Sequence, residues 1–165
     1  MRLRGLMKKE GPRQEPLDIN DIIDQALSLV RSEASMKGIS IRLEKQAPLP
    51  ALVGDTVQLQ QIILNLIHNS AEAVISAPEG PREIVITSGI SEPGFITVTV
   101  SDSGTGIAED ELERIFKSFF TTKPDGMGMG LAISRSIAEA HGGRLWASSN
   151  PGRGAAFHLS LPIPR

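Results

Sequence analysis

The chain has 165 residues, of which 40% are hydrophobic, and its 17 basic and 19 acidic side chains give a formal net charge of −2. The length fits one domain with its own core, and the absence of cysteine excludes a disulfide framework and a thiolate metal centre. The near-neutral charge provides no basic surface for nucleic acid, no apolar run reaches the roughly 20 residues of a membrane-spanning helix, and without an export signal a cytoplasmic location is expected.

Residues 1–16 are charged and end in a segment with two prolines, a pattern typical of a helical stub followed by an extended linker. The domain is predicted to span residues 17–165. Asp18 is a good N-cap for a first amphipathic helix that ends near Gly38. Alternating apolar residues over 39–43 then predict a half-buried strand.

A second helix is predicted to begin after Asp55, with Gln58 as its capping-box partner, and to run to about Ile75. The remaining predicted elements are a hairpin of strands 83–88 and 95–101, a short helix over 111–118, a helix over 131–141, and strands 144–148 and 155–161. This mixture indicates an α+β domain or a two-layer α/β sandwich.

Polar side chains interrupt the apolar second helix. Asn65, Asn69 and Glu72 are spaced at i, i+4 and i+7, so they share one face. A solvent-facing stripe is the ordinary interpretation of such residues. Carboxamide oxygens are, however, hard neutral ligands that suit Mg²⁺ beside phosphate oxygens. The stripe is therefore a candidate magnesium site.

The predicted strand 95–101 leads into Asp102, followed by Gly104 and Gly106. A tight turn with aspartate as the turn-forming residue accounts for this pattern by itself. A calcium loop is excluded because the two glycines occupy ligand positions. An aspartic protease, formed by pairing two such carboxylates in a homodimer, is an alternative that leaves the rest of the chain unexplained.

A second glycine segment, residues 126–130, has glycine at alternate positions and runs directly into the predicted helix at Leu131. Such a backbone can approach a ligand closely, and a helix N-terminus favours phosphate. Lys123 lies just upstream and could place a cation on phosphate groups, although a solvated surface lysine is the simpler interpretation. The segment has neither the Walker nor the Rossmann spacing.

The order of these features resembles the catalytic, ATP-binding domain of bacterial sensor histidine kinases, in the superfamily shared with gyrase, Hsp90 and MutL. The resemblance covers about residues 16–163. The boxes that carry it are residues 65–69 (N box), 102–106 (G1 box), 116–123 (F box), 126–130 (G2 box) and 152–157 (final glycine box).

The resemblance implies an α/β two-layer sandwich of the Bergerat type, with a mixed sheet of about five strands packed on three helices. It also implies that the domain binds Mg·ATP, with Asn69 as the Mg²⁺ ligand and Asp102 accepting a hydrogen bond from the exocyclic amine of adenine. The implied catalytic residues are Asn65, Asn69 and Lys123. The implied nucleotide-binding residues are Asn69, Asp102, Gly104, Gly106, Ile107, Lys123, Gly126, Gly128, Met129, Gly130 and Leu131.

Three features depart from the family pattern. Asn65 occupies the place of the glutamate of hydrolysing relatives, which implies poor activation of water. Ser70 stands where alanine is common, and residues 155–156 are alanines where a threonine is usual. The resemblance therefore implies a missing phosphate contact and weaker nucleotide binding. Phe116, Phe119 and Phe120 are expected to anchor a short mobile lid over the phosphates.

None of His68, His141 and His158 lies in the family's phosphoacceptor pattern. The resemblance therefore implies that the γ-phosphoryl group passes to a histidine on a separate dimerisation hairpin and, indirectly, to a response regulator. Residues 1–16 resemble the end of that hairpin and its linker. The alternatives are an anti-sigma-factor serine kinase of the same superfamily and a non-catalytic module that binds ATP or a partner.

Overall fold

The computed structural model describes residues 13–120 and 128–165 of the chain. In chain order, the strands and helices are β1 (Glu15–Leu17), α1 (Ile19–Met36), β2 (Ser40–Lys45), β3 (Leu52–Gly54), α2 (Thr56–Ser76), β4 (Glu83–Glu92), β5 (Phe95–Asp102), α3 (Gly130–Ala140), β6 (Arg144–Ser149) and β7 (Ala155–Pro162). Two short 3₁₀ turns, Glu109–Glu111 and Arg114–Phe116, lie between β5 and α3.

A mixed five-stranded sheet has the order β2-β4-β5-β7-β6. Strands β2 and β4 are parallel, and every other neighbouring pair in this sheet is antiparallel. The alternation of side chains along β5 explains its two faces, because Ile96, Val98 and Val100 are fully buried whereas Thr97 and Thr99 are partly exposed. The predicted sandwich with about five strands and three helices is confirmed.

The core lies between one face of the sheet and the helices, and α2 contributes its centre. Ile62, Ile63 and Leu66 of this helix are fully buried. Helix α2 contacts α1, α3 and β5, so the N box lies in the middle of the helical layer. Among the described residues, no helix is long and apolar enough to span a membrane.

Both helix starts agree with the predicted caps. The Asp18 carboxylate accepts the N–H of Asn20 at 2.8 Å, and the Asp55 carboxylate accepts the N–H of Gln58 at 3.0 Å. These bonds satisfy backbone donors that a helix leaves unpaired in its first turn.

Two of the predictions for local structure are wrong. Residues 111–118 do not form one helix; the chain there is divided between the two 3₁₀ turns, which are too short to carry a helical apolar face. The segment ending at residue 16 is not wholly a linker, because β1 pairs antiparallel with β3, with Glu15 opposite Gly54. Strands of three residues are too short to show an alternating pattern.

His158 lies on β7, on the face of the sheet away from the helices. Its ring stacks on Trp146 at 5.1 Å between centroids, Nδ1 lies 3.0 Å from Thr99 Oγ1, and Nε2 lies 2.7 Å from Ser148 Oγ. Burial disfavours the charged imidazolium and so lowers the pKa of His158 below its usual value.

A lowered histidine pKa makes the folded state less stable in acid, because the unfolded chain takes up the proton first. The free energy of unfolding is therefore expected to fall as the pH drops below about 6.5, the ordinary histidine value. Urea unfolding at pH 7.5 and 5.5 checks this prediction. The variant His158→Gln should lose less stability than the wild type over this interval. Equal losses in wild type and His158→Gln would contradict the prediction.

Candidate functional site

Asp102 ends β5 and is buried, with 4% of its surface exposed. Its Oδ1 accepts the N–H of Gly104 at 2.9 Å and the N–H of Ala155 at 3.3 Å. Burial raises the pKa of Asp102, while these two N–H groups and the Ser70 hydroxyl favour the ionised form. No described residue donates to Oδ2, so this oxygen is left for a donor from a ligand.

The G1 glycines bring the loop after Asp102 against α2. A Cβ on Gly104 would lie 2.5 Å from the backbone carbon of Ala73, and the N–H of Thr105 donates to the Ala73 carbonyl at 3.3 Å. Gly106 has a φ of +79°, in the left-handed region that favours glycine. The motif therefore permits a close approach of backbone to helix, as its sequence indicated.

Asn150 joins the loop at residues 150–154 to the end of β5, and sequence reasoning missed it. Its Nδ2 lies 2.9 Å from Ser101 Oγ, 3.1 Å from the Asp102 carbonyl and 3.0 Å from the Ala155 carbonyl, three acceptors that share its two hydrogens. One carboxamide thus fixes both strands that carry the hydrogen bonds of Asp102. Its position just before a Pro-Gly turn was the available signal, but turns commonly contain asparagine.

The N-box asparagines form a connected pair on α2. Asn69 Nδ2 donates to the Asn65 carbonyl at 2.9 Å, with a longer 3.4 Å contact to Asn65 Oδ1. Asn65 Nδ2 donates in turn to Ser134 Oγ on α3 at 3.0 Å, and a Cβ on Gly130 would lie 2.6 Å from Asn65 Oδ1. Because the amide nitrogen of Asn69 is used within the helix, its oxygen is the end that can ligate a metal.

Glu72, the third residue of the predicted stripe, is partly buried. Its Oε1 lies 3.1 Å from Nε2 of the exposed His68. The face that carries Asn65, Asn69 and Glu72 is therefore half-buried and faces α3 through Asn65. It is not a freely solvated stripe. The donor set fits Mg²⁺, which prefers hard oxygen ligands.

The residues on either side of segment 121–127 are joined by their backbones. Phe119 has a φ of +68°, and its N–H donates to the Gly128 carbonyl at 2.9 Å. A Cβ on Gly128 would lie 2.6 Å from the backbone carbon of Phe119, so this approach requires glycine. Lys123 and Gly126, both predicted to bind nucleotide, lie outside the described residues.

The three phenylalanines of the F box differ in burial. Phe116 is buried and Arg135 lies over its ring at 3.9 Å, whereas Phe119 is 74% exposed and Phe120 is partly buried. Among the described residues, Phe119 contacts Gly128 through its backbone, and its side chain is largely exposed. The lid that it is expected to anchor lies outside the described residues, so this role stays a prediction.

The remaining predicted residues lie around these two centres. Met129 is the N-cap residue of α3, and Leu131 in its first turn is partly buried against the core. Ile107 also packs on the core, and its carbonyl accepts from Ser149 Oγ at 3.0 Å. The structure thus forms one centre at Asp102, at the end of β5, and a second at Asn65 and Asn69 on α2. The loop after Asp102 contacts α2 at Ala73.

Comparison with known proteins decides the family. A sequence model of the protein family described as "Histidine kinase-, DNA gyrase B-, and HSP90-like ATPase" matches residues 54–165. The chain belongs to this family. Within this ATPase family, the chain is 36% identical over 162 residues to the sensor histidine kinase TmoS of Ectopseudomonas mendocina. That match covers 98% of the chain but 17% of TmoS, so the chain spans about a sixth of this curated relative.

Solved histidine kinases share the fold of this ATPase domain. The nucleotide-free catalytic domain of ThkA aligns with a TM-score of 0.80 and 31% identity, covering 91% of this chain and 95% of that one. ThkA in complex with the response regulator TrrA aligns with a TM-score of 0.79 and 27% identity, covering 99% and 46%. Full-length ShkA in complex with AMPPNP aligns with a TM-score of 0.79 and 32% identity, covering 91% and 31%.

The resemblance to sensor histidine kinase catalytic domains is thereby confirmed, and the chain carries the ATP-binding domain of this group. The aspartic-protease alternative is excluded by the fold.

Proposed function

We propose that this domain binds Mg·ATP and transfers the γ-phosphoryl group to a histidine on a separate dimerisation hairpin. The observation that carries the proposal is the buried carboxylate of Asp102, which keeps Oδ2 without a donor from the described residues beside a glycine loop packed on α2. The complex of the relative ShkA with AMPPNP supports a nucleotide in this fold.

Asp102 would select adenine. Its Oδ2 accepts a hydrogen bond from the exocyclic amine, whereas guanine would place a carbonyl oxygen opposite the same carboxylate. Two acceptors facing each other in a buried site lose a hydrogen bond and repel. We therefore expect ATP to bind much more tightly than GTP.

Asn69 would hold the metal at the other centre. When bound, Mg²⁺ supplies positive charge that neutralises the phosphate oxygens. Lys123 is expected to add a cation from the lid. Asn65 has a neutral amide engaged with Ser134, so it cannot take a proton from water. The γ-phosphoryl group is thus kept for the imidazole nitrogen of the acceptor, and ADP leaves.

The acceptor must approach beside the lid, and an apolar groove lies there. The groove has a volume of about 360 Å³ and is lined by Ser118, Met129 and the α3 residues Ala132, Ile133, Ser136, Ile137 and Ala140, with Gln58 of α2. Two of these residues, Ser118 and Met129, flank the lid. Ile133 is 41% exposed. Phe119, which follows the groove residue Ser118 in the sequence, is 74% exposed. We propose that the phosphoacceptor hairpin packs here, since the groove adjoins both ends of the segment that the resemblance assigns to the phosphates, and would bring the hairpin's histidine within reach of them.

If the hairpin packs in this groove, a substitution there should slow phosphoryl transfer without changing ATP affinity. Ile133→Ser is expected to slow phosphoryl transfer to a hairpin domain by about 10-fold, because it removes an apolar contact at the interface. ATP affinity measured by calorimetry should not change. Leu29→Ser is the matched control, since Leu29 is also exposed on a helix but lies on α1. Equal transfer rates in Ile133→Ser and wild type would remove the groove from the interface.

The metal proposal predicts a loss of transfer when Asn69 is changed. Asn69→Ala is expected to reduce transfer from labelled ATP to a hairpin domain supplied in trans by about 100-fold, because the phosphate charge is no longer compensated. Gln61→Ala, an exposed carboxamide on the same helix, should transfer normally.

This assay also separates the alternatives. ATP binding with no transfer to any hairpin would favour a non-catalytic module, and transfer to a serine-bearing partner would favour the anti-sigma-factor kinase. Onward transfer from the hairpin to a response regulator, the partner bound by ThkA, is the further step proposed for the complete pathway.

A further inference from the structure

Ser70 lies on α2 directly after the proposed metal ligand and is fully buried. Its Oγ is a buried side-chain atom with no hydrogen-bond partner among the described residues. Leaving a buried hydroxyl unsatisfied costs about 1–3 kcal/mol, and folded proteins rarely keep such a group without a use. The ligand-free domain thus holds a buried hydroxyl that is available to donate a hydrogen bond.

Ser70 lies one helical turn before Ala73, which contacts Gly104 and Thr105, so it is on the face of α2 that meets the end of β5. It lies near enough to the Asp102 carboxylate to favour the ionised form, but not within hydrogen-bond geometry. The other donors to this carboxylate, the N–H groups of Gly104 and Ala155, both bond Oδ1. The side chain of Ala155 is a methyl group, so it adds no hydroxyl from β7.

We propose that Ser70 is a positioning residue for the nucleotide base: in the ATP-bound domain its hydroxyl donates to Oδ2 of Asp102 and holds that oxygen towards the adenine amine. A carboxylate oxygen has two lone-pair sites, so Oδ2 can accept from the hydroxyl and from the amine together. The inference rests on the proposed ATP binding and adds a specificity-determining residue to it.

The test compares two nucleotides by calorimetry on the full chain. Ser70→Ala is expected to weaken binding of Mg·ATP by about 5–10-fold, the equivalent of one hydrogen bond. Binding of purine riboside triphosphate, which lacks the exocyclic amine, should weaken less than about 2-fold, because Ser70 acts through the bond between Asp102 and the amine. Ser28→Ala, an exposed serine of α1, is the control and should bind both nucleotides normally.

A purely structural role for Ser70 gives a different pattern. Removing an unpartnered buried hydroxyl should leave the melting temperature of the ligand-free domain unchanged or raise it. Equal loss of affinity for both nucleotides, a lowered melting temperature, or unchanged ATP affinity would each overturn the inference. Absence of ATP binding by the wild type would instead overturn the proposed function, so the two failures are distinguishable.

Discussion

The variant Asp102→Asn is expected to bind ATP about 100-fold more weakly than the wild type, a loss near the upper range for a charge-assisted hydrogen bond. The reason lies in how the carboxylate is held. Oδ1 accepts two backbone N–H groups, from Gly104 and Ala155, so the asparagine oxygen must take that place. The amide nitrogen then occupies the position of Oδ2 and presents a donor to the adenine amine, which is also a donor.

The same variant is expected to be more stable than the wild type near pH 7. Burial raises the pKa of Asp102, so the unfolded chain loses this proton at lower pH than the folded chain. The protonated carboxyl group therefore contributes stability in acid, and this contribution is lost as the pH rises through the folded pKa. Replacing it with a neutral amide removes the cost of the buried charge. The advantage of the variant should shrink as the pH falls towards about 4, the ordinary aspartate value.

Calorimetry with ATP and urea unfolding at pH 7 and pH 4 measure both effects. Asp110→Asn makes the same chemical change at an exposed position and should alter neither quantity. A variant Asp102→Asn that binds ATP as well as the wild type would remove this carboxylate from base recognition. A variant that loses both ATP binding and stability at pH 7 would show that Asp102 chiefly holds the fold.

The sequence was informative where local chemistry determines the structure. The caps at Asp18 and Asp55, the alternation along β5 and the close glycine contact at Gly104 each follow from residue types at fixed spacing. The five motifs in order were enough to predict the sandwich, because each motif has a place in it. Each of these signals lies within a short stretch of sequence, about ten residues or fewer.

Contacts between distant segments could not be predicted in this way. Asn150 bonds residues about 48 positions away, and Asn65 reaches Ser134 across 69 positions. The unpartnered state of the Ser70 hydroxyl is a property of everything packed around it. For the same reason, the sequence did not indicate that Phe119 has a left-handed backbone and a largely exposed ring. The supporting residues of this site are visible in three dimensions only.

Gly154→Ala is expected to lower the free energy of unfolding by about 3 kcal/mol or more, from two additive causes. The φ of Gly154 is +86°, and an L-residue in the left-handed region costs roughly 1–2 kcal/mol. In addition, a Cβ at this position would overlap the backbone carbonyl oxygen of Asp102. Relieving that overlap must move backbone, and such overpacking typically costs about 1–3 kcal/mol.

Gly152 provides a matched control two residues earlier. Its φ is +84°, almost the same, but a Cβ there would meet no atom within 4 Å. Gly152→Ala should therefore show the backbone cost alone, about 1–2 kcal/mol, and should keep its affinity for ATP. Gly154→Ala, where it folds, should also lose ATP affinity, since displacing residue 154 moves the neighbouring N–H of Ala155 that holds Asp102. Urea unfolding of the two variants gives the difference directly. Equal destabilisation of the two variants would mean that the overlap with the Asp102 carbonyl is relieved at no cost. Unchanged ATP affinity in Gly154→Ala would mean that the final glycine box shapes the loop without positioning the Asp102 carboxylate.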